Sequence, residues 1–421
     1  MSIIDTAKIV FAGAYGLNSQ GDDGPLITLL DSLRGGIASL DAVVIVRPPI
    51  DQRYCAYGAR SIPNLDYASK HESLGKWFKG FNYSDDRNEL NALSEEIASA
   101  DLLVFGAGNA VNDITFDLFR GPLSYLATLV FLAKMAKTPV MLYALSAGPL
   151  VNLHARRLAR FVLELSDVVT VRDALSASLF REIGYEGDVI VLPDPIILLE
   201  DTPEKDVAPL PVWRQAHQDE KSVVAVAIRA LPENIIAMEP WLELTAALCD
   251  FLVEQKGLRV LFIPQCTYTR GNTYEDDRVV ARMVVERMRN MQDAVLAEGE
   301  YTVAECLSLY QGAKLALCTR LHGAVFACMN AVPTIAFNYN PKVEGFMTWL
   351  GQPQQIISFD SIDVSALYAK SLATYDNPRL GGEGGARISN GRIQARKYAE
   401  LALSLLLNAT SSPLSKKYSR N

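Results

Sequence analysis

Arg320 and His322 stand two residues apart in CTRLHGAVFACMNAVP (318–333), where an apolar run gives way to small residues of helical period, in a chain with only four histidines. A guanidinium binds phosphate or carboxylate in bidentate fashion, and an imidazole titrates near neutrality. The first residues of a helix add unpaired N–H groups and the positive end of the helix dipole. Together these features would hold a small anion and offer it a proton-transfer group. Lys342, in NYNPKVEG after the next apolar run, supplies a third cation. Arg172 closes VVTVRD and Arg229 closes VVAVAIR, where a rigid strand end would aim each guanidinium at an anion. The alternative use of either is a salt bridge, for Arg172 with Asp173 or another acid.

Two further stretches suit a ligand bearing hydroxyl groups. In GAYGLNSQGDDGPLITLL (13–30) the glycines allow a sharp turn, but the pattern is neither G-x-G-x-x-G nor a Walker loop. Two aspartates at a helix start would repel an anion, so Asp22 and Asp23 are assigned either to such a ligand or to helix capping. GAGNAVND (106–113) again ends an apolar run, and Asn109 there, like Asn18 in NSQGDDG, is a candidate substrate contact.

These residues need elements to position them. Short Val/Ile/Leu runs alternate with longer segments of helical period, which predicts parallel sheets covered by helices. Strands are expected at KIVFAG, AVVIV, DLLVFGAG, PVMLYAL, VVTVRD and VIVLPD, and again at VVAVAIR, RVLFIPQC, LALCTR and PTIAFNY. The pattern lapses in a Pro-rich, charged stretch read as a linker over 201–221. The expectation is α/β: two Rossmann-like doubly wound domains, 1–200 and 222–385, facing a central cleft at the carboxyl ends of their strands. Residues 386–421, after the Gly-rich break LGGEGGA, are read as a helix closing the domain seam and a mobile tail. Residues 50–90 fit no βα unit and read as a surface insertion, with a lid beside the cleft as the alternative.

Composition narrows the function. The 421 residues are 49% apolar and 21% charged, as in a folded soluble protein, and the net charge of −8 argues against a general nucleic-acid binder. Six cysteines without a C-x-x-C pair point to reduced core thiols, a cytoplasmic setting and no structural zinc or other metal. No N-terminal basic segment precedes a long apolar run, and the most apolar stretch is broken by Lys134 short of a bilayer span. The basic residues from Arg387 onward permit peripheral contact with the inner membrane face.

The ordered set NSQGDDG, GAGN, SAGPL, VRDALSASLFREIG, PDP, CTYTRGNTYEDDRVVA and TRLHGAVFACMNAVPTIAFNYNPKVEGFMTWLG resembles the polysaccharide pyruvyl transferase family, particularly its colanic-acid-type bacterial members. The resemblance runs over about residues 10–351. It implies an architecture similar to the two-domain GT-B glycosyltransferases and transfer of pyruvate from phosphoenolpyruvate to two hydroxyls of one sugar, forming a cyclic ketal. It makes Arg172, His322 and Lys342 candidates for phosphoenolpyruvate binding and catalysis, with Arg320 the adjoining arginine and Arg229 a further cation. For such a reaction His322 is the candidate general acid, and Asp22 or Asp23 the candidate catalytic carboxylate that takes the hydroxyl proton or orients the sugar. Phosphoenolpyruvate is then a substrate and no cofactor is implied. The acceptor is a sugar or a lipid-linked oligosaccharide, and a homo-oligomer is compatible. A glycosyltransferase using a nucleotide sugar and a non-catalytic glycan-binding member are the rival readings.

Overall fold

β-branched and aliphatic runs with helical segments between them fold as the alternation predicts, into two wholly parallel sheets. The structure, a computed structural model, describes residues 4–47, 53–64, 87–114, 116, 121–201, 209–268 and 273–411. The chain divides into two units, 1–17 with 22–198 and 393–421, and 18–21 with 199–392.

The first unit holds β1 (Ile4–Ala12), β2 (Ile37–Val46), β3 (Ala59–Pro63), β4 (Leu102–Gly106), β5 (Val140–Leu145), β6 (Val168–Val171) and β7 (Ile190–Val191), in the order β3-β2-β1-β4-β5-β6-β7. Its helices are α1 (Gln20–Arg34), whose first two residues belong to the second unit, α2 (Arg87–Ala98), α3 (Pro122–Ala136), α4 (Leu153–Leu165) and α5 (Ala174–Glu182). One face of the sheet packs Val10, Leu103, Phe105 and Leu142 against Leu126, Val130 and Leu163 of the covering helices. Each such buried side chain contributes about 1.5–3 kcal/mol.

The second unit holds α6 (Pro211–Ala216), β8 (Val223–Ala227), α7 (Met238–Lys256), β9 (Arg259–Phe262), α8 (Asp277–Val285), β10 (Ala294–Leu296), α9 (Val303–Ser308), β11 (Leu315–Cys318), α10 (Leu321–Met329), β12 (Thr334–Asn338), α11 (Pro341–Trp349), β13 (Ile356–Ser358) and α12 (Val364–Tyr375). Its strands run β10-β9-β8-β11-β12-β13. In each sheet the strand order reverses beside the first strand, between β1 and β4 and between β8 and β11. Such switch points are where open α/β sheets bind ligands.

Four expectations change. Within 50–90 the chain is not merely an insertion, because β3 extends the first sheet along β2; residues 65–86 lie outside the described residues. The 201–221 stretch contains α6, whose Trp213 indole donates to the Gln311 carbonyl. LGGEGGA is not a break but the interior of α13 (Arg379–Ala395). Gly381 there serves close approach: a Cβ on it would lie 1.9 Å from the Ala331 carbonyl oxygen. Finally, residues from 393 belong to the first unit, where α14 (Lys397–Ser411) buries Tyr398 edge-on against Tyr143 at 5.0 Å. The tail from 412 lies outside the described residues.

Candidate active site

In the second unit, β8 and β11 end side by side at the switch point, so the residues that follow them are neighbours. The Arg229 backbone N–H donates to Thr319 Oγ1 at 3.1 Å, and the Arg229 carbonyl accepts from the Trp241 indole at 3.0 Å. These bonds fix the backbone from which the Arg229 guanidinium reaches Tyr339, its Nη1 donating to Tyr339 Oη at 3.2 Å. The guanidinium carbon also lies 5.4 Å from the Tyr339 ring centroid, and Lys342 Nζ lies 6.0 Å from it. Burial pushes the Tyr339 phenol up, but Lys342, Arg229 and Arg320 outweigh burial and bring it down to about 7. Arg229 and Lys342, nominated separately from the sequence, therefore meet on one tyrosine that the sequence reading passed over.

Arg320 is the N-cap of α10 and His322 its second residue, half-buried. The Arg320 guanidinium is engaged by Asp277: Nε reaches both carboxylate oxygens at 3.1 and 3.0 Å, and Nη2 reaches Oδ1 at 2.5 Å. Asp277 also accepts from the backbone N–H groups of Gln265 and Cys266 at 2.9 and 3.0 Å. Arg320 is thus less a spare cation than a tie between the end of β9 and the start of α10. Asp277 lies in YEDDRVV, part of the family-like stretch CTYTRGNTYEDDRVVA, but nothing in the spacing marks it as the partner of Arg320.

The motif NSQGDDG is divided between the units. Asn18 Nδ2 donates to Thr267 Oγ1 at 2.5 Å, Ser19 bridges to Cys266, and the Gln20 N–H donates to the Gln265 carbonyl at 2.9 Å. This short segment brings Gly21 against His322: a Cβ there would sit 1.9 Å from His322 Nδ1. Gly21 is required for proximity, and Asn18, expected as a substrate contact, helps seat the segment.

The other candidates lie in the first unit. Asp23 accepts from Tyr54 Oη at 2.5 Å and Arg53 Nη1 at 3.2 Å, and burial pushes its carboxyl up to about 6. Asp22 lies beside the loop after β4, where a Cβ on Gly108 would meet its Oδ1 at 3.4 Å. Asn109, in the same loop, donates through Nδ2 to the Gly148 carbonyl at 2.8 Å, while its Oδ1 is buried without a hydrogen-bond partner among the described residues. That arrangement keeps an acceptor available for a ligand hydroxyl at the β1/β4 switch point. Arg172 extends from the end of β6, donating to Ser146 Oγ at 2.7 Å and to Asp194 Oδ2 at 2.8 Å, both partners of the ion pair being 5% exposed. Its acid is Asp194 of the PDP motif. The adjacent Asp173 instead caps α5.

Comparison with known proteins gives the family and the class of fold. The polysaccharide pyruvyl transferase family model matches residues 38–341, most of the chain. Among solved structures, a Staphylococcus aureus MnaA–UDP co-structure is similar with 14% identity and a TM-score of 0.62, over 97% of this chain and 99% of that one. UDP-GlcNAc 2-epimerase from Neisseria meningitidis, bound to UDP-GlcNAc, gives 12% identity and 0.56, over 95% and 100%. A trehalose 6-phosphate synthase from Burkholderia multivorans gives 12% and 0.54 over all of both chains. The fold is of the GT-B class, two Rossmann-like units with parallel sheets. The chain belongs to the polysaccharide pyruvyl transferase family and is a transferase. Among the described residues no helix is long and apolar enough to cross a membrane.

Proposed function

We propose that the protein transfers pyruvate from phosphoenolpyruvate to two hydroxyls of one sugar, releasing phosphate and forming a cyclic ketal on a bacterial exopolysaccharide or cell-surface glycan precursor. The observation that carries this reading is the grouping of Arg229, Lys342 and the His322-bearing start of α10 at the strand ends of the second unit, a cation set suited to a donor with both phosphate and carboxylate. In this reading His322 is the general acid that protonates the donor methylene carbon. Lys342 and Arg229 neutralise the donor, Arg172 is a further donor cation, and Arg320 holds the α10 start in place. Asp22, Asp23 and Asn109 orient the sugar, and Asn18 positions Gly21. The acceptor is free or lipid-linked, and the reaction is placed in the cytoplasm at or near the inner membrane face.

The test is phosphate release from phosphoenolpyruvate across galactosides, glucosides and mannosides, with product masses recorded. A product gaining one pyruvate ketal supports the reading. Calorimetric binding of a nucleotide sugar, without binding of phosphoenolpyruvate, would replace it with glycosyl transfer.

The same assay tests the Gly21 contact. Gly21→Ala forces the His322 ring aside, and a displacement of about 1 Å at a catalytic group costs roughly 10²-fold in rate. Gly382→Ala is the control, since a Cβ there meets nothing within 4 Å. Equal kcat in the two variants would remove Gly21 from the positioning of His322.

A further inference from the structure

The proposed transfer needs a group that accepts protons from sugar hydroxyls, and the second unit offers an unusual one. Asp277 is poorly suited: it is 2% exposed and its oxygens are taken up by two backbone N–H groups and the Arg320 guanidinium. Tyr339 sits just beyond the end of β12, half-buried, with Arg229 donating to its oxygen and Lys342 near its ring. A guanidinium that donates to a phenol oxygen favours the phenolate, and a nearby ammonium adds to that preference.

We propose that Tyr339 is a catalytic residue whose phenolate oxygen takes the proton from the attacking sugar hydroxyl. The inference rests on the pyruvyl-transfer reading. In the first step the hydroxyl O–H bond breaks, its proton passes to Tyr339 Oη, and the oxygen bonds to C2 of phosphoenolpyruvate as the C2–C3 π pair takes a proton from His322 to form the methyl group. The C2–O bond to phosphate then breaks, with its electron pair leaving on phosphate. The second hydroxyl adds to C2 and gives up its own proton, so one hydroxyl proton replaces that spent on C3 and the other leaves with phosphate. The charged groups acting on Tyr339 are Lys342 of α11, Arg229 after β8, and Arg320 of α10, the last offset by Asp277 of α8. His322 lies two residues beyond Arg320. The ionisation near 7 that these groups produce sets the pH at which the base becomes available.

The experiment compares wild type with Tyr339→Phe in two measurements. In the first, tyrosinate absorbance of the free protein is followed against pH; wild type shows one phenol ionising at about 7 that the variant lacks. Its absence from wild type overturns the inference. In the second, kcat for phosphate release is measured against pH. The wild-type rate rises through about 7, because the deprotonated form works, whereas the variant loses that limb and roughly 10²-fold in kcat. A variant with the wild-type kcat and pH profile sinks the role of Tyr339 alone. If wild type itself releases no phosphate with any acceptor, the pyruvyl-transfer reading fails and this catalytic role falls with it.

Discussion

His322→Ala is expected to lower kcat for phosphate release by about 10²- to 10⁴-fold, the usual cost of removing a general acid or base. Binding of phosphoenolpyruvate should change little in calorimetry, because Lys342 and Arg229 remain with their tyrosine contact intact. The imidazole is placed by two independent features, its position as second residue of α10 and the Gly21 backbone against which it lies. The group removed is therefore one of defined geometry. His322→Gln distinguishes proton transfer from packing, since an amide of similar reach fills the space but cannot shuttle a proton. Both variants should be comparably slow, and added imidazole should restore part of the rate to the alanine variant alone. A glutamine variant at wild-type kcat would assign His322 a packing role.

The second large effect is on stability. Asp277→Ala leaves the Arg320 guanidinium and two backbone N–H groups without their shared acceptor, at a site where Asp277 is 2% exposed. Removing one partner of a buried ion pair costs about 3–5 kcal/mol, against about 1–3 kcal/mol for leaving a neutral hydrogen bond unmade. Asp277→Ala should thus lower the thermal midpoint by roughly 10 °C and Asp277→Asn by less. Near-ultraviolet circular dichroism on heating would check both, and a fall under about 2 °C for the alanine variant would show that the tie contributes little.

How much of this was legible before the structure depends on what kind of signal each residue carries. Long buried strands such as Val140–Leu145 announce themselves, because parallel strands covered on both faces are continuous apolar runs. β3, β10 and β13 were missed. They are three to five residues long and stand at sheet edges, so their periodicity is too short to separate from loop, and β3 carries a proline and an arginine besides. Arg229 could be nominated because a cation closing an apolar run is conspicuous, and Lys342 because it follows the next such run. Tyr339 could not, since tyrosine is ordinary beside a core and only the approach of the cations gives it a chemical character. Asp277 and Asp194 were hidden because an acid's partner is set by tertiary contact: Arg172 passes over its sequence neighbour Asp173 to pair 22 residues away. Gly381 misled for the opposite reason, its sequence suggesting freedom where the structure needs proximity.

The segment 18–21 has a consequence for how the molecule can be made and divided. It is synthesised early, yet its partners Gln265, Cys266 and Thr267 emerge from the ribosome some 250 residues later, Asn18 and Thr267 being 249 apart. The second unit must therefore wait, incomplete, for strand-end residues that the chain has already passed, the kind of long loop closure that slows folding. Expressed alone from residue 199, it would lack the backbone against which its histidine rests. The half that carries His322 is not a separable cassette, and exchanging it between relatives requires carrying four residues from the far end of the gene.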